Sequence, residues 1–337
     1  MALPELPHPI FHQIPTGHSE IRAAVVGSGP LVLLVHGFPE SWYSWRHQLV
    51  PIAEAGFTAC AIDVRGYGGS QKFGAVADFS MENIVADVRG VARALAPRGG
   101  VTLVGHDWGA PIVYSAALID PDAFVAVAGL SVAYAGAPER SFDLVIKELF
   151  DDKDRFFYQS YFREPGVAEA AFERDPRGFL RRFYFALSGD ARPGSWPRNK
   201  TSRDTLLAGL EDPAVFPTWL TDADLDYYVG EFTRSGFFGP LSRYRNHTRD
   251  FEYLQTWKGR RIEQPALFIS GSRDPAFNML GAAGDPIAVM RKHVPRLQEA
   301  HVLEGCGHWT QQERPAEVNE RLVPWLRAVA GERQLAR

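Results

Sequence analysis

Six runs of mostly apolar residues, at 31–35, 57–62, 101–104, 124–130, 266–269 and 300–303, constrain this chain more than any other feature. A run without regular polar alternation offers water no face, so it suits a strand covered on both sides by helices. Most of the stretches between the runs are amphipathic or Ala-rich and predict helices. Strand and helix in alternation make a parallel α/β sheet. Two shorter runs, 11–14 and 21–26, flank Pro15-Thr16-Gly17 and predict an opening hairpin. The pattern stops between about 136 and 261, where aromatics, Arg, Asp and Pro are mixed and no comparable run occurs. This segment reads as a helical insertion. Strand runs precede and follow it, so it would leave the carboxyl edge of the sheet and cover it, which is where open α/β sheets bind ligands. The expected organisation is a core in two parts, 1–135 and 262–337, with a helical lid at 136–261. No internal repeat is visible.

The chain's 337 residues allow a sizeable buried core, and its 45% hydrophobic and 23% charged residues are those of an ordinary globular protein. The formal net charge is −4, and Lys and Arg are scattered. That gives no footprint for nucleic acid or an anionic membrane, so a small neutral partner is expected. Two cysteines, Cys60 and Cys306, do not make a disulfide scaffold. A reducing, cytoplasmic setting fits them. Residues 1–10 place Pro4, Pro7 and Pro9 among apolar residues without a basic start, which argues against a secretory leader. The most apolar stretch, 123–137, is shorter than the ~18 residues that suggest a membrane span. The motifs require neither cofactor nor metal. The oligomeric state stays open, a homodimer included.

Gly105-His106-Asp107-Trp108-Gly109 directly follows the run 101–104 and leads into a predicted helix, 110–119. A sharp strand-to-helix turn needs small residues two before and two after its tip, and it holds the tip side chain above the sheet. Asp at a helix start is also a common cap. At the tip of an elbow, however, a carboxylate is a nucleophile suited to an alkyl carbon, where it forms an ester that water can then open. His36-Gly37-Phe38-Pro39-Glu40 follows the run 31–35. There the backbone N–H groups of Phe38 and Trp108 would form an oxyanion hole. The Glu40 side chain is read either as holding a water behind the site or as a surface group.

Gly305-Cys306-Gly307-His308-Trp309 follows the last run and sets a glycine-flanked histidine on a loop that can reach the elbow. Asp274, in Ser270-Gly271-Ser272-Arg273-Asp274-Pro275, follows the run 266–269 and completes the order nucleophile, acid, histidine. It would orient His308 and stabilise its imidazolium. A rival acid after the run 124–130 is excluded, because 131–138 contains no carboxylate.

With these residues in place the chain resembles the soluble epoxide hydrolases of the α/β-hydrolase fold over nearly its whole length. Asp63-Val64-Arg65-Gly66-Tyr67-Gly68-Gly69-Ser70, the 36–40 segment and the Asp107 elbow look like those of epoxide hydrolases and, more loosely, of haloalkane and fluoroacetate dehalogenases. Two further segments separate these possibilities. Tyr161-Phe162-Arg163-Glu164-Pro165-Gly166 resembles the lid segment that carries the family's first ring-opening tyrosine, and Gly239-Pro240-Leu241-Ser242-Arg243-Tyr244-Arg245-Asn246 resembles the one that carries the second. The resemblance thus implies Tyr161 and Tyr244 as donors to the alkoxide created when an epoxide opens. Arg163 stands where Gln is common in the family, and Arg243 where an aromatic is common.

The implied reaction adds water to a small hydrophobic epoxide through an alkyl ester on Asp107, with His308 and Asp274 activating the water. A haloalkane dehalogenase is the alternative, with Trp108 able to donate its indole N–H to a halide, but it has no need of two lid phenols. A fluoroacetate dehalogenase would need an arginine pair that Asp107-Trp108-Gly109-Ala110 lacks. A non-enzymatic ligand receptor of the same fold is the third reading, and an intact Asp, His and Asp set argues against it.

Overall fold

A computed structural model describes residues 9–192, 194–197, 199–281 and 284–335. Residues 1–8, most of the Pro-containing start at 1–10, lie outside these. Eight strands form one sheet in the order β1-β2-β4-β3-β5-β6-β7-β8. They are β1 (Ile10–Pro15), β2 (Glu20–Val26), β3 (Leu31–Val35), β4 (Thr58–Ile62), β5 (Val101–His106), β6 (Phe124–Leu130), β7 (Ala266–Gly271) and β8 (Leu297–Leu303). The β1–β2 hairpin pairs antiparallel and joins β4 antiparallel. Every other pairing is parallel.

Alternation of side chains along the strands divides the core into two layers. Leu33, Leu103 and Phe268 face one side, together with Val88 of α2 (Met81–Leu95), Val113 of α3 (Gly109–Ile119) and Met290 of the helix Pro286–His293. Leu34, Val104 and Ile269 face the other, against Leu49 of α1 (Arg46–Glu54) and residues of the C-terminal helix such as Leu322 and Trp325. Burial of each such side chain contributes about 1.5–3 kcal/mol, which is why the continuous runs become the central strands. The last strand begins at Leu297, three residues before the run at 300–303, and because it is an edge strand only Leu297 and Leu303 are buried, while Gln298, Glu299 and Val302 are exposed.

From the end of β6 to the start of β7 the chain forms α4 (Phe142–Leu149), α5 (Tyr158–Tyr161), α6 (Val167–Arg174), α7 (Pro176–Leu187), α8 (Asp222–Ser235), α9 (Phe238–Ser242) and α10 (His247–Leu254). After β7 come α11 (Pro275–Gly281) and α12 (Pro286–His293), and after β8 come α13 (Thr310–Glu313) and α14 (Pro315–Leu335). The helices between β6 and β7 pack onto the loops that follow the strands. Phe38 meets Phe162, Phe183 and Tyr244 edge-on at 5.4–5.9 Å. The Tyr184 hydroxyl donates to the Pro39 carbonyl at 2.9 Å, and the Trp309 indole donates to the Tyr184 carbonyl at 2.7 Å. Among the described residues, no helix is long and apolar enough to cross a membrane.

Candidate active site

Four loops meet above the carboxyl ends of β3, β5, β7 and β8, and each carries one of the residues singled out in the sequence. Asp107 sits at the tip of the turn between β5 and α3 with φ at 50°, a left-handed conformation that non-glycine residues seldom adopt. The turn closes this tightly because its flanks lack side chains. A Cβ on Gly105 would lie 2.2 Å from the Gly109 carbonyl oxygen, and one on Gly109 would lie 2.0 Å from that of Val35. Strain of this kind at a tip that presents a carboxylate is what a nucleophile elbow requires.

The Phe38 N–H donates to Asp107 Oδ1 at 2.8 Å. Asp107 Oδ2 lies 3.5 Å from His308 Nε2, and His308 Nδ1 lies 3.0 Å from Asp274 Oδ1. Asp274 is fully buried and also accepts the Ala276 N–H at 2.8 Å. Burial opposes the charge on Asp107, but the hydrogen bond and charge of His308, then His106 and the Phe38 N–H, hold its carboxyl below the usual carboxylate range. Burial likewise opposes protonation of His308. Asp274 and Asp107 overcome it and hold the imidazole well above its ordinary value. The resting arrangement is an imidazolium between two carboxylates. One of these is poised at an elbow and open to a cavity.

A buried network below the elbow joins the loops. Glu40 is 1% exposed, so the surface alternative for it does not hold. Its Oε2 accepts the Gly37 N–H at 2.9 Å and lies 2.8 Å from His106 Nδ1, while Oε1 accepts from Gln311 and Gln312 at 3.0 and 3.1 Å. His106 Nε2 donates to the His308 carbonyl at 2.7 Å, the assignment a carbonyl partner requires. Three chemistry-bearing loops are thus fixed to one carboxylate. Sequence reasoning missed His106, Gln311 and Gln312; the only local signal was the polar residue between Gly105 and Asp107.

Above the elbow, Tyr244 is buried, with its ring 5.3 Å from Trp108 and 5.8 Å from Tyr158. Tyr244 and Tyr158 line the same cavity as Asp107 and His308. Tyr161 is not brought there, and the sequence expectation for it needs correction. Its ring, half-buried, packs 6.2 Å from Phe156 and 6.1 Å from Phe162, and Glu169 is the charge that acts on it. Tyr158, one turn earlier on α5, lines the cavity with Asp107 instead. Gln159 Nε2 donates to the Tyr158 oxygen at 2.7 Å, which leaves the phenol hydrogen to point elsewhere. Gln159 Oε1 in turn lies 2.7 Å from His247 Nε2. Burial and the charge of Arg243 push the His247 imidazole down to about 4, so it is neutral and its Nε2–H fixes the amide orientation. Burial also raises both cavity phenols, with Asp107 adding to the effect, so they remain protonated donors.

The two arginines that depart from the family pattern differ in their placement. Arg163 is exposed and pairs with Asp151 at 2.9 Å, whereas Arg243 is buried and stacks 4.6 Å over the Trp108 ring while pairing with Asp250. The cavity has a volume of about 560 Å³ and is walled largely by aromatics, among them Phe38, Phe157, Phe183 and Trp196. The Trp108 N–H, second of the two expected oxyanion donors, follows Asp107 directly, and among the described residues it has no hydrogen-bond acceptor of its own.

Residues 30–315 match the family described as the alpha/beta hydrolase fold. The chain is 38% identical over 320 residues to epoxide hydrolase A of Mycobacterium tuberculosis, a match covering 91% of this chain and 94% of that one. Its structure is similar to that of an epoxide hydrolase from an endophytic Streptomyces, with a TM-score of 0.91 and 45% identity over 96% of this chain and 97% of the other. It is also similar to potato (Solanum tuberosum) epoxide hydrolase I, with a TM-score of 0.84 and 32% identity over 95% and 99% of the two chains. With identity at this level across almost the whole of both partners, the chain belongs to the epoxide hydrolases of the α/β-hydrolase fold.

Proposed function

We propose that this enzyme converts a hydrophobic epoxide and water to a vicinal diol through an ester on Asp107. The observation that carries the reading is the pair of phenols, Tyr158 and Tyr244, in the cavity that Asp107 and His308 also line. The Asp107 oxygen not held by the Phe38 N–H attacks an epoxide carbon. The C–O bond breaks, and the alkoxide takes a proton from a phenol, which is made good from His308. Neutral His308 then removes a proton from water as that water adds to the ester carbonyl carbon, and the N–H groups of Phe38 and Trp108 stabilise the resulting oxyanion. Collapse releases the diol, whose oxygen takes the proton left on the carboxyl, and restores the Asp107 carboxylate beside protonated His308.

Residues 136–261 act as the lid in this reading, shutting the ester away from bulk water. All the reacting groups stand on one chain, so a homodimer is not needed for chemistry, and sedimentation velocity tests for one. Two free buried cysteines suit the cytoplasm. The decisive experiment is a turnover screen of aryl and alkyl epoxides beside 1-haloalkanes. Diol from the epoxides is expected; preference for the haloalkanes would overturn the reading.

A further inference from the structure

Among the described residues that line the otherwise mostly apolar cavity, Lys200 and Arg155 are cations that the ring-opening chemistry does not use. Lys200 is 8% exposed. Its Nζ donates to the Leu206 carbonyl at 2.8 Å and lies 4.0 Å from the centre of the Phe156 ring. No described carboxylate closes an ion pair with it. Asp204 acts on it through its charge, but that carboxylate is already held by the N–H and Oγ1 of Thr201. On the adjoining stretch Arg203 and Asp154 pair with each other. The Arg155 guanidinium lies 5.4 Å over Phe150 and likewise has no described ion-pair partner.

A buried ammonium with one neutral acceptor and a ring face is incompletely compensated for the water it has lost. Burial accordingly pushes the Lys200 ammonium down to about 8. An anion reaching it would supply the missing charge and two further acceptors. The wall between the reacting groups and the cations is aromatic: Tyr158 lies 4.9 Å from Phe157, which stacks on Phe150 at 4.4 Å beneath Arg155. The Phe156 N–H donates to the Lys200 carbonyl at 3.0 Å and holds the two cationic segments together. An apolar arm fits along this wall, with its charge at the end.

We propose that Lys200 and Arg155 form a subsite for a carboxylate carried on the apolar arm of the epoxide, so that the enzyme prefers epoxides of monocarboxylic acids to their neutral counterparts. This rests on the epoxide hydrolase reading and names its substrate class.

The test compares kcat/KM for a styrene oxide bearing a para-butanoate arm with that for its methyl ester. The acid is expected to be favoured by about tenfold or more, the range for a hydrogen-bonded charge pair. In Lys200→Met the ratio should fall toward one, and Lys200→Arg should retain it. The wild-type preference should decline as pH rises through about 8, where Lys200 loses its charge, and should not decline in Lys200→Arg. A purely structural lysine would lower both substrates alike and leave the ratio unchanged, which overturns the proposal. So does an ester used as well as the acid by wild type, or a preference that survives Lys200→Met and Arg155→Gln together. Should the Met variant fail to fold, inhibition of the wild type by 4-phenylbutyrate against its amide decides the matter, equal inhibition refuting the subsite. Turnover of unsubstituted styrene oxide by wild type separates failure of the subsite from failure of the underlying reaction.

Discussion

Replacing Tyr158, Tyr161 and Tyr244 one at a time by Phe tests which hydroxyls meet the opening epoxide. Each change removes one oxygen and keeps the ring, so packing is nearly preserved. Tyr158 and Tyr244 line the cavity with Asp107, and burial raises both phenols, so each is a full donor at any working pH. Loss of one preorganised donor to a developing oxyanion costs roughly 10²–10³-fold, or about 2.7–4 kcal/mol. Because two donors share one oxygen and the survivor keeps its bond, the lower end, about 10²-fold, is expected for either single variant. Their double variant should be close to inactive, and the two effects should couple in a double-mutant cycle. Tyr158→Phe also leaves Gln159 Nε2 without its acceptor, a stability cost of about 1–3 kcal/mol that does not unfold a domain of this size. Tyr161 lies outside the cavity lining, so Tyr161→Phe should alkylate within about twofold of wild type. The assay is rapid-quench single turnover with enzyme in excess, reading epoxide consumption. Wild-type alkylation by Tyr158→Phe, or an equal loss in Tyr161→Phe, would refute the assignment.

His308→Gln should alkylate and then stall, and mass spectrometry should find a substrate-sized adduct on the Asp107 peptide; sustained turnover without an adduct would remove His308 from the hydrolytic step. In ¹⁸O-water with excess enzyme, the first diol should carry an unlabelled oxygen from Asp107, and full labelling of that diol would rule out the ester. Asp274→Asn removes the largest influence that raises the His308 imidazole, so its titration should move to lower pH and ester hydrolysis should slow by roughly 10⁴-fold. An unmoved ¹⁵N-imidazole titration would contradict the electrostatic account. A Cβ on Gly37 would lie 2.3 Å from Asp107 Oδ1 and 2.4 Å from Asp107 Cβ, side-chain atoms rather than backbone. Gly37→Ala should therefore displace Asp107 together with the elbow that fixes its Cβ and lose alkylation by about 10²-fold or more in protein that circular dichroism shows to be folded, a misplaced nucleophile being that costly; an active variant would show the contact to be harmless.

Much of the fold was legible because the central strands are buried on both faces and so must be written in apolar residues without interruption. The edge strand β8 was shortened at its start because Gln298 and Glu299 face solvent there. Asp107, His308 and Asp274 stood out because the elbow and the two loops after β7 and β8 carry local signals, glycines above all. Glu40 carried none: its partners are His106, 66 residues away, and Gln311 and Gln312, 271 and 272 residues away, so its burial belongs to the assembled loops. The sequence pointed to Tyr161 without weighing Tyr158, for a related reason. Both sit on the four residues of α5, and what separates them is the neighbour each meets, Tyr244 for one and Phe156 for the other. Motif resemblance locates such a segment without saying which of its two phenols turns inward.

The arrangement also explains how one histidine can serve two steps that need opposite protonation states. At rest, His308 holds a proton because two carboxylates face it, with Asp274 at 3.0 Å from Nδ1 and Asp107 at 3.5 Å from Nε2. At such distances, and at an effective dielectric of about 20, each attraction is worth several kcal/mol. In the proposed reaction, alkylation turns Asp107 into a neutral ester and removes one of the two charges at the moment when the epoxide oxygen requires a proton. His308 is thereby released to give up its proton, and it becomes the base that the second step needs. Asp274, fully buried and untouched by the chemistry, keeps the imidazole oriented and stabilises the imidazolium that re-forms when water is activated. On the proposed mechanism, formation of the ester therefore switches on its own hydrolysis, and no movement of the triad is required between the two steps.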